Sequence, residues 1–324
     1  MFNQNTINPF IDQIVYTIDN MFEKKDIPQE IINYLYLVSA GMILNYGLDY
    51  TKYIYKAIGD TKYIYGMEDI NNKLSKEEYE RLNFDIKQNA YAISKVESCS
   101  QDGDITKILG ISYTLLIANT NANKHELLEF IVHELNHILS SLNNTFIYKD
   151  NDLYFRYGLF RTRINNSKDK LETGRILNEV INTLQTEDII KNIIKLKDFK
   201  IFNVKFNRAL RVIKDLEVDE YRASGYEPFV NLFRPLYEKD NYRGLINNST
   251  LEGKIDDIQE VIDHKLGMYS FDNMIDNLES LYKSYEFTKS IDLGTAYETS
   301  SQYLDYKNKY IYGLIDYKPE FLVS

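Results

Sequence analysis

A single cysteine, Cys99, stands in a chain of 324 residues. No intrachain disulfide can form, and a cysteine-rich metal site is excluded. Five prolines and fourteen glycines are scattered rather than clustered, so no linker-like stretch divides the chain. Cations are outnumbered, 38 Lys and Arg against 48 Asp and Glu, giving a net charge of −10. Such a surface repels phosphate backbones and anionic lipids, so neither nucleic acid nor a membrane is an expected partner. The opening "MFNQNTINPFIDQ" has neither the basic nor the continuous apolar region of a signal peptide. The most apolar long stretch, "IINYLYLVSAGMILNYGL" (31–48), is interrupted by Asn33, Asn45 and several tyrosines. It reads as a buried helix rather than a membrane span. These absences together lead to the expectation of a soluble, cytoplasmic protein.

What is present is ample apolar material: 44% hydrophobic and 14% aromatic residues suit a globular core. Residues 10–60 read as helices, and 71–95 as another, with Ser75 and Glu78 spaced as a capping box. "ISYTLLIAN" (111–119) is a strand-like run bounded by Gly110 and an Asn-rich turn. A helix is expected over 124–142, then a hairpin turning between Lys149 and Asp152, then a helix over 174–195. Beyond 200 the pattern is mainly helical. The pentapeptide "TKYIY" occurs at 51 and again at 61, but the likeness stops there and no repeat architecture follows. The composite is α+β and helix-dominated, with a small sheet around the central helix.

That central helix carries "FIVHELNHILSS" (130–141). Four residues advance a helix by about 400° and 6 Å, so His133 and His137 project from one face on successive turns. Two imidazoles so placed reach one tetrahedral Zn²⁺ without bending the backbone. Glu134, rotated by about 100°, is poorly placed as a ligand but well placed to hydrogen-bond a metal-held water as general base. Leu128, Val132, Leu135, Leu139 and Leu142 form an apolar stripe that sets the helix deep in the protein.

A catalytic zinc keeps three protein ligands and one open position. No histidine follows closely, so a carboxylate completes the set, and Glu172 and Glu179 are the downstream candidates. Glu179 is preferred. It lies in the second turn of an apolar helix, which anchors a ligand better than the loop expected around Glu172. Thr183 and Thr186 share its side of the helix and are placed to hydrogen-bond its carboxylate. Arg156, Arg161 and Arg163 read either as a solvated hairpin face or as a carboxylate-binding group.

"HELNH" followed by "LNE" on a second helix resembles the gluzincin metallopeptidases of the thermolysin-like clan, over roughly residues 110–190. The resemblance implies a two-lobed metallopeptidase: residues 1–145 with an edge strand before the HExxH helix, and a mainly helical lobe, 146–324, supplying the third ligand. It also implies Zn²⁺ as cofactor and His133, His137 and Glu179 as metal ligands. Glu134 would be the catalytic base, and a peptide or protein substrate would bind extended against the strand at 111–119. An oxyanion-stabilising donor from the C-terminal part is implied as well, with His264, Tyr221 and Tyr226 as candidates. The alternative is a non-enzymatic peptide-binding or regulatory protein that retains the fold.

Overall fold

A computed structural model describes residues 3–25, 27–74, 90–102, 105–117, 123–142, 145–149, 152–164, 170–290 and 294–315. The chain opens with α1 (Gln4–Phe22), started by a reciprocal capping box between Asn3 and Thr6. Ile7, Ile11, Ile14, Val15, Ile18 and Phe22 recur at helical spacing and are buried. Helix α2 (Gln29–Tyr46) is the apolar 31–48 stretch, and it is buried almost all round. No helix among the described residues is long and apolar enough to cross a membrane. Gly41 explains how α2 lies so close to its neighbour. A Cβ there would stand 2.6 Å from Ile193 Cγ1 and 2.9 Å from the Ile189 carbonyl.

Helix α3 (Thr51–Asp60), strand β1 (Thr61–Tyr65) and helix α4 (Met67–Lys73) follow. Strands β2 (Ala90–Asp102) and β3 (Ile105–Ile117) complete a sheet of order β1-β3-β2. β1 runs parallel to β3, with Thr61 opposite Tyr113 and Tyr65 opposite Ile117. This corrects the expected edge strand: the strand before the HExxH helix is the inner one. Its sequence carries the reason, because Leu115, Leu116 and Ile117 are consecutive and all buried, as in strands covered on both faces. Ala90–Lys95, expected at the end of a helix, belong to β2; Ser75 and Glu78 lie outside the described residues.

Helix α5 (Lys124–Ser141) carries the histidine motif. Strands β4 (Thr145–Lys149), β5 (Asp152–Tyr157), β6 (Phe160–Ile164) and β7 (Lys170–Thr173) form an antiparallel sheet in sequential order. Lys149 faces Asp152, so the expected hairpin is present, extended by two further strands. Glu172 is in β7 opposite Thr162, not in a loop. The charged segment before it conceals in the sequence a short strand that pairs with the preceding strand β6. Helix α6 (Arg175–Lys195) follows, then α7 (Val204–Leu210).

The C-terminal region is helical: α8 (Phe229–Tyr237), α9 (Asp240–Glu252), α10 (Ile255–Leu266), α11 (Ser270–Ser290) and α12 (Ser301–Tyr306). Their core includes Phe229, Phe233, Tyr242, Ile255, Phe271 and Tyr310. Tyr242 and Tyr297 satisfy their hydroxyls on main-chain carbonyls, those of Leu314 and Leu281. By contact density the chain forms two units, one of 1–98, 109–139 and 185–223, the other of 99–108, 140–184 and 224–324.

Candidate metal centre

Helix α5 starts at Asn123, whose Oδ1 accepts the Glu126 N–H at 2.8 Å while its Nδ2 donates to Glu126 Oε1 at 2.6 Å. Leu127, Leu128, Ile131, Val132, Leu135, Ile138 and Leu139 are buried, which bears out the apolar stripe and fixes the helix's rotation. The other face carries Glu129, His133 and His137 at intervals of four. His133 and His137 are half-buried. Their Nε2 atoms stand 3.2 Å apart with the rings inclined at 81°. Two nitrogens bound at zinc distances in a tetrahedral site lie about 3.3–3.4 Å apart, so the imidazoles are spaced as ligands of one ion.

Glu179, on the second turn of α6, completes the group: ligand atoms of His133, His137 and Glu179 all lie within 4.8 Å of one another. Closing the widest of these separations to tetrahedral spacing takes at most about 1.5 Å of side-chain movement. Two neutral imidazoles and a carboxylate are a fitting donor set for a divalent transition-metal ion, and the group could hold one. Glu172 is not part of it. Glu134 is half-buried on the same helix, about 100° round from His133.

α6 is rigid because it is enclosed. Ile176, Leu177, Val180, Ile181 and Leu184 are buried, as are the polar Asn178, Asn182, Gln185, Thr186 and Glu187. Thr183 does not serve the Glu179 carboxylate; its Oγ1 donates to the Glu179 main-chain carbonyl at 2.9 Å. A helix hydroxyl four residues on finds that carbonyl without leaving its rotamer. Asn178, the asparagine of "LNE", braces the sheet instead, its Oδ1 accepting the Leu159 N–H at 3.0 Å. That contact holds the two-residue turn between β5 and β6. Gly158 is required there, with φ of 50° and a Cβ that would fall 2.4 Å from Asn178 Oδ1.

Of the proposed oxyanion donors, Tyr221 lies against α5. It is 8% exposed, and its hydroxyl donates to Glu129 Oε2 at 2.6 Å, one turn before His133. Burial, then the negative charge of Glu129, pushes its phenol well above the ordinary tyrosine range. The next residues are fixed too, since the Ala223 N–H donates to Glu187 Oε2 at 3.3 Å. Glu187 is itself buried and paired with Lys191 at 2.6 Å. His264 is exposed in the last turn of α10, where a basic group complements the helix terminus. It is not in the His133–His137–Glu179 group. Tyr226 sits in a left-handed conformation, φ 54°, packed on the C-terminal core.

Arg161 is committed within the protein, donating to Asp272 Oδ1 at 3.1 Å and Gln259 Oε1 at 2.9 Å. Sequence reasoning missed the side chains that join α5 to its neighbours. The Tyr46 hydroxyl donates to Asn136 Oδ1 at 2.5 Å, and Asn136 Nδ2 donates to Gln185 Oε1 at 3.0 Å. A signal for them existed: Asn136 lies four after Val132, and Gln185 lies four after Ile181 and four before Ile189. Asn136 ends an apolar row and Gln185 interrupts one. Comparison with protein-family models, curated proteins and solved structures finds no match.

Proposed function

We propose that the chain is a zinc-dependent metallopeptidase, with His133, His137 and Glu179 as ligands and Glu134 as general base. The single observation that carries this reading is the convergence of two histidines of a HExxH helix with a glutamate from a second helix. Two imidazoles and one carboxylate leave a tetrahedral ion one open position, the arrangement of hydrolytic zinc sites. Zinc, when bound, supplies Lewis-acid polarisation and a more acidic water. Glu134 would accept a proton from the water at its carboxylate as the water oxygen bonds to the scissile carbonyl carbon, and would return it to the leaving amine as the C–N bond breaks. Neither further-donor candidate is assigned the role: the Tyr221 hydroxyl gives its one proton to Glu129, and His264 is exposed in the last turn of α10. The substrate is an extended peptide segment; β3, flanked on both sides, does not offer it a pairing edge.

The test is metal content followed by activity. Purified protein should hold one zinc per chain, and Glu134→Gln should keep it while lowering peptide hydrolysis by about 10²–10⁴-fold. Hydrolysis by Glu134→Gln at the wild-type rate would remove the assigned base. A wild-type chain that takes up no zinc would remove the whole reading.

A further inference from the structure

We infer that the buried amide pair Asn136–Gln185 is a positioning device that sets the register of α5 against α6, and through it the geometry of the metal centre. This role rests on the metal-centre reading and adds to it two residues outside the ligand set. Asn136 is 1% exposed and Gln185 2%, and Nδ2 of one donates to Oε1 of the other at 3.0 Å. The Tyr46 hydroxyl, at 2.5 Å from Asn136 Oδ1, fixes which end of the amide faces α6.

Apolar side chains would fill both positions with less desolvation, since buried Val132 lies one turn before Asn136, and Ile181 and Ile189 flank Gln185. Apolar packing, however, is non-directional and tolerates small slides of one helix along another. A hydrogen bond between two buried amides does not, because it weakens steeply with distance and angle. Asn136 lies three residues after His133 and directly before His137. Gln185 lies six residues after Glu179, about 9 Å along the same helix. A slip at the amide pair is therefore carried along both rigid helices to the ligand atoms. Coordination distances tolerate only a few tenths of an ångström. Other contacts of α6 are directional too, Asn178 to the Leu159 N–H and Glu187 to the Ala223 N–H, but their partners lie outside α5.

The experiment measures zinc dissociation constants by chelator competition, and melting of the chelator-treated protein, for four chains. These are wild type, Gln185→Met, the double variant Asn136→Leu/Gln185→Met, and His133→Ala as the ligand control. The double variant replaces both amides by apolar groups of similar shape but takes the acceptor from the Tyr46 hydroxyl, so its metal-free melting temperature should fall by no more than one lost hydrogen bond accounts for. Its zinc affinity should nevertheless fall by about 10- to 100-fold, as should that of Gln185→Met. Wild-type zinc affinity in a stably folded double variant overturns the positioning role. So does a loss of affinity that merely follows a loss of melting temperature across the series. Should the double variant not fold, Gln185→Met decides between the same two outcomes. Zinc binding by wild type no tighter than by His133→Ala would overturn the metal centre itself, a failure distinct from that of the amide pair.

Discussion

Glu129 and Tyr221 show how much at this centre is settled by single side chains. A carboxylate one turn before His133 accepts a hydrogen bond from a phenol that burial and negative charge keep protonated. The bond joins the segment after α7 to α5, and Tyr221→Phe removes it without changing the packed ring. Hydrogen bonds to a charged acceptor contribute about 1.5–3 kcal/mol. Tyr221→Phe is expected to lower unfolding free energy by that amount in denaturant titration; an unchanged midpoint would show the bond to be idle. The histidines and Glu134 were legible from sequence because four-residue spacing on a helix has only one geometric meaning. Asn136 and Gln185 were not assigned a role, because a polar residue within or at the end of an apolar row says that it needs a partner but not where that partner lies.

At the scale of elements, α2 and α6 approach as closely as they do because Gly41 has no side chain. Gly41→Ala sets a methyl against the Ile189 carbonyl and the Ile193 side chain, and overpacking of this kind costs about 1–3 kcal/mol. A fall in melting temperature is the expected outcome. If the variant is as stable as wild type, α2 and α6 are not in contact at this position. The β5–β6 turn makes a second test. Gly158 is held in a positive-φ conformation against Asn178, and Gly158→Ala should destabilise by more than the removal of an ordinary surface glycine would. Chemical denaturation of that variant beside Gly244→Ala, where no atom lies within 4 Å of an added Cβ, makes the comparison. The helices α1, α5 and α6, with their spaced apolar residues, and α2, an apolar run too long for a strand, were readable in advance. β1 and the inner position of β3 were not, since pairing partners far away in sequence determine them; β7 was hidden instead by its short length and charged flank.

For the molecule as a whole, the 28 tyrosines are the largest aromatic class and much of the core. Burial pushes Tyr282 and Tyr297 up to about 12 and raises Tyr34, Tyr36, Tyr63, Tyr303 and Tyr306 as well. In the unfolded chain these phenols ionise near pH 10. Between that pH and the folded-state values, the unfolded chain has released protons that the folded chain keeps. The folded state therefore binds more protons, and stability falls as pH rises. The slope is about 1.4 kcal/mol per pH unit for each such tyrosine. Alkaline unfolding should be steep and should begin near pH 10, followed by circular dichroism together with phenolate absorbance. Phenolate absorbance that rises without loss of secondary structure would show these rings to be accessible in the folded state.

The sequence by itself determined the helix-dominated class, the apolar helices and the shared face of His133 and His137, because each depends on local sequence pattern. It also favoured Glu179 over Glu172, as the more rigidly mounted carboxylate, and the tertiary structure alone brought that glutamate to the histidines. The two copies of "TKYIY" mark the limit of local reading. Residues 51–55 are the start of α3, and the identical residues 61–65 are strand β1. The second copy becomes a strand because β3 offers it backbone partners from Tyr113 to Ile117. A pentapeptide carries no information about which distant segment will satisfy its N–H and C=O groups. Only the folded chain decides that.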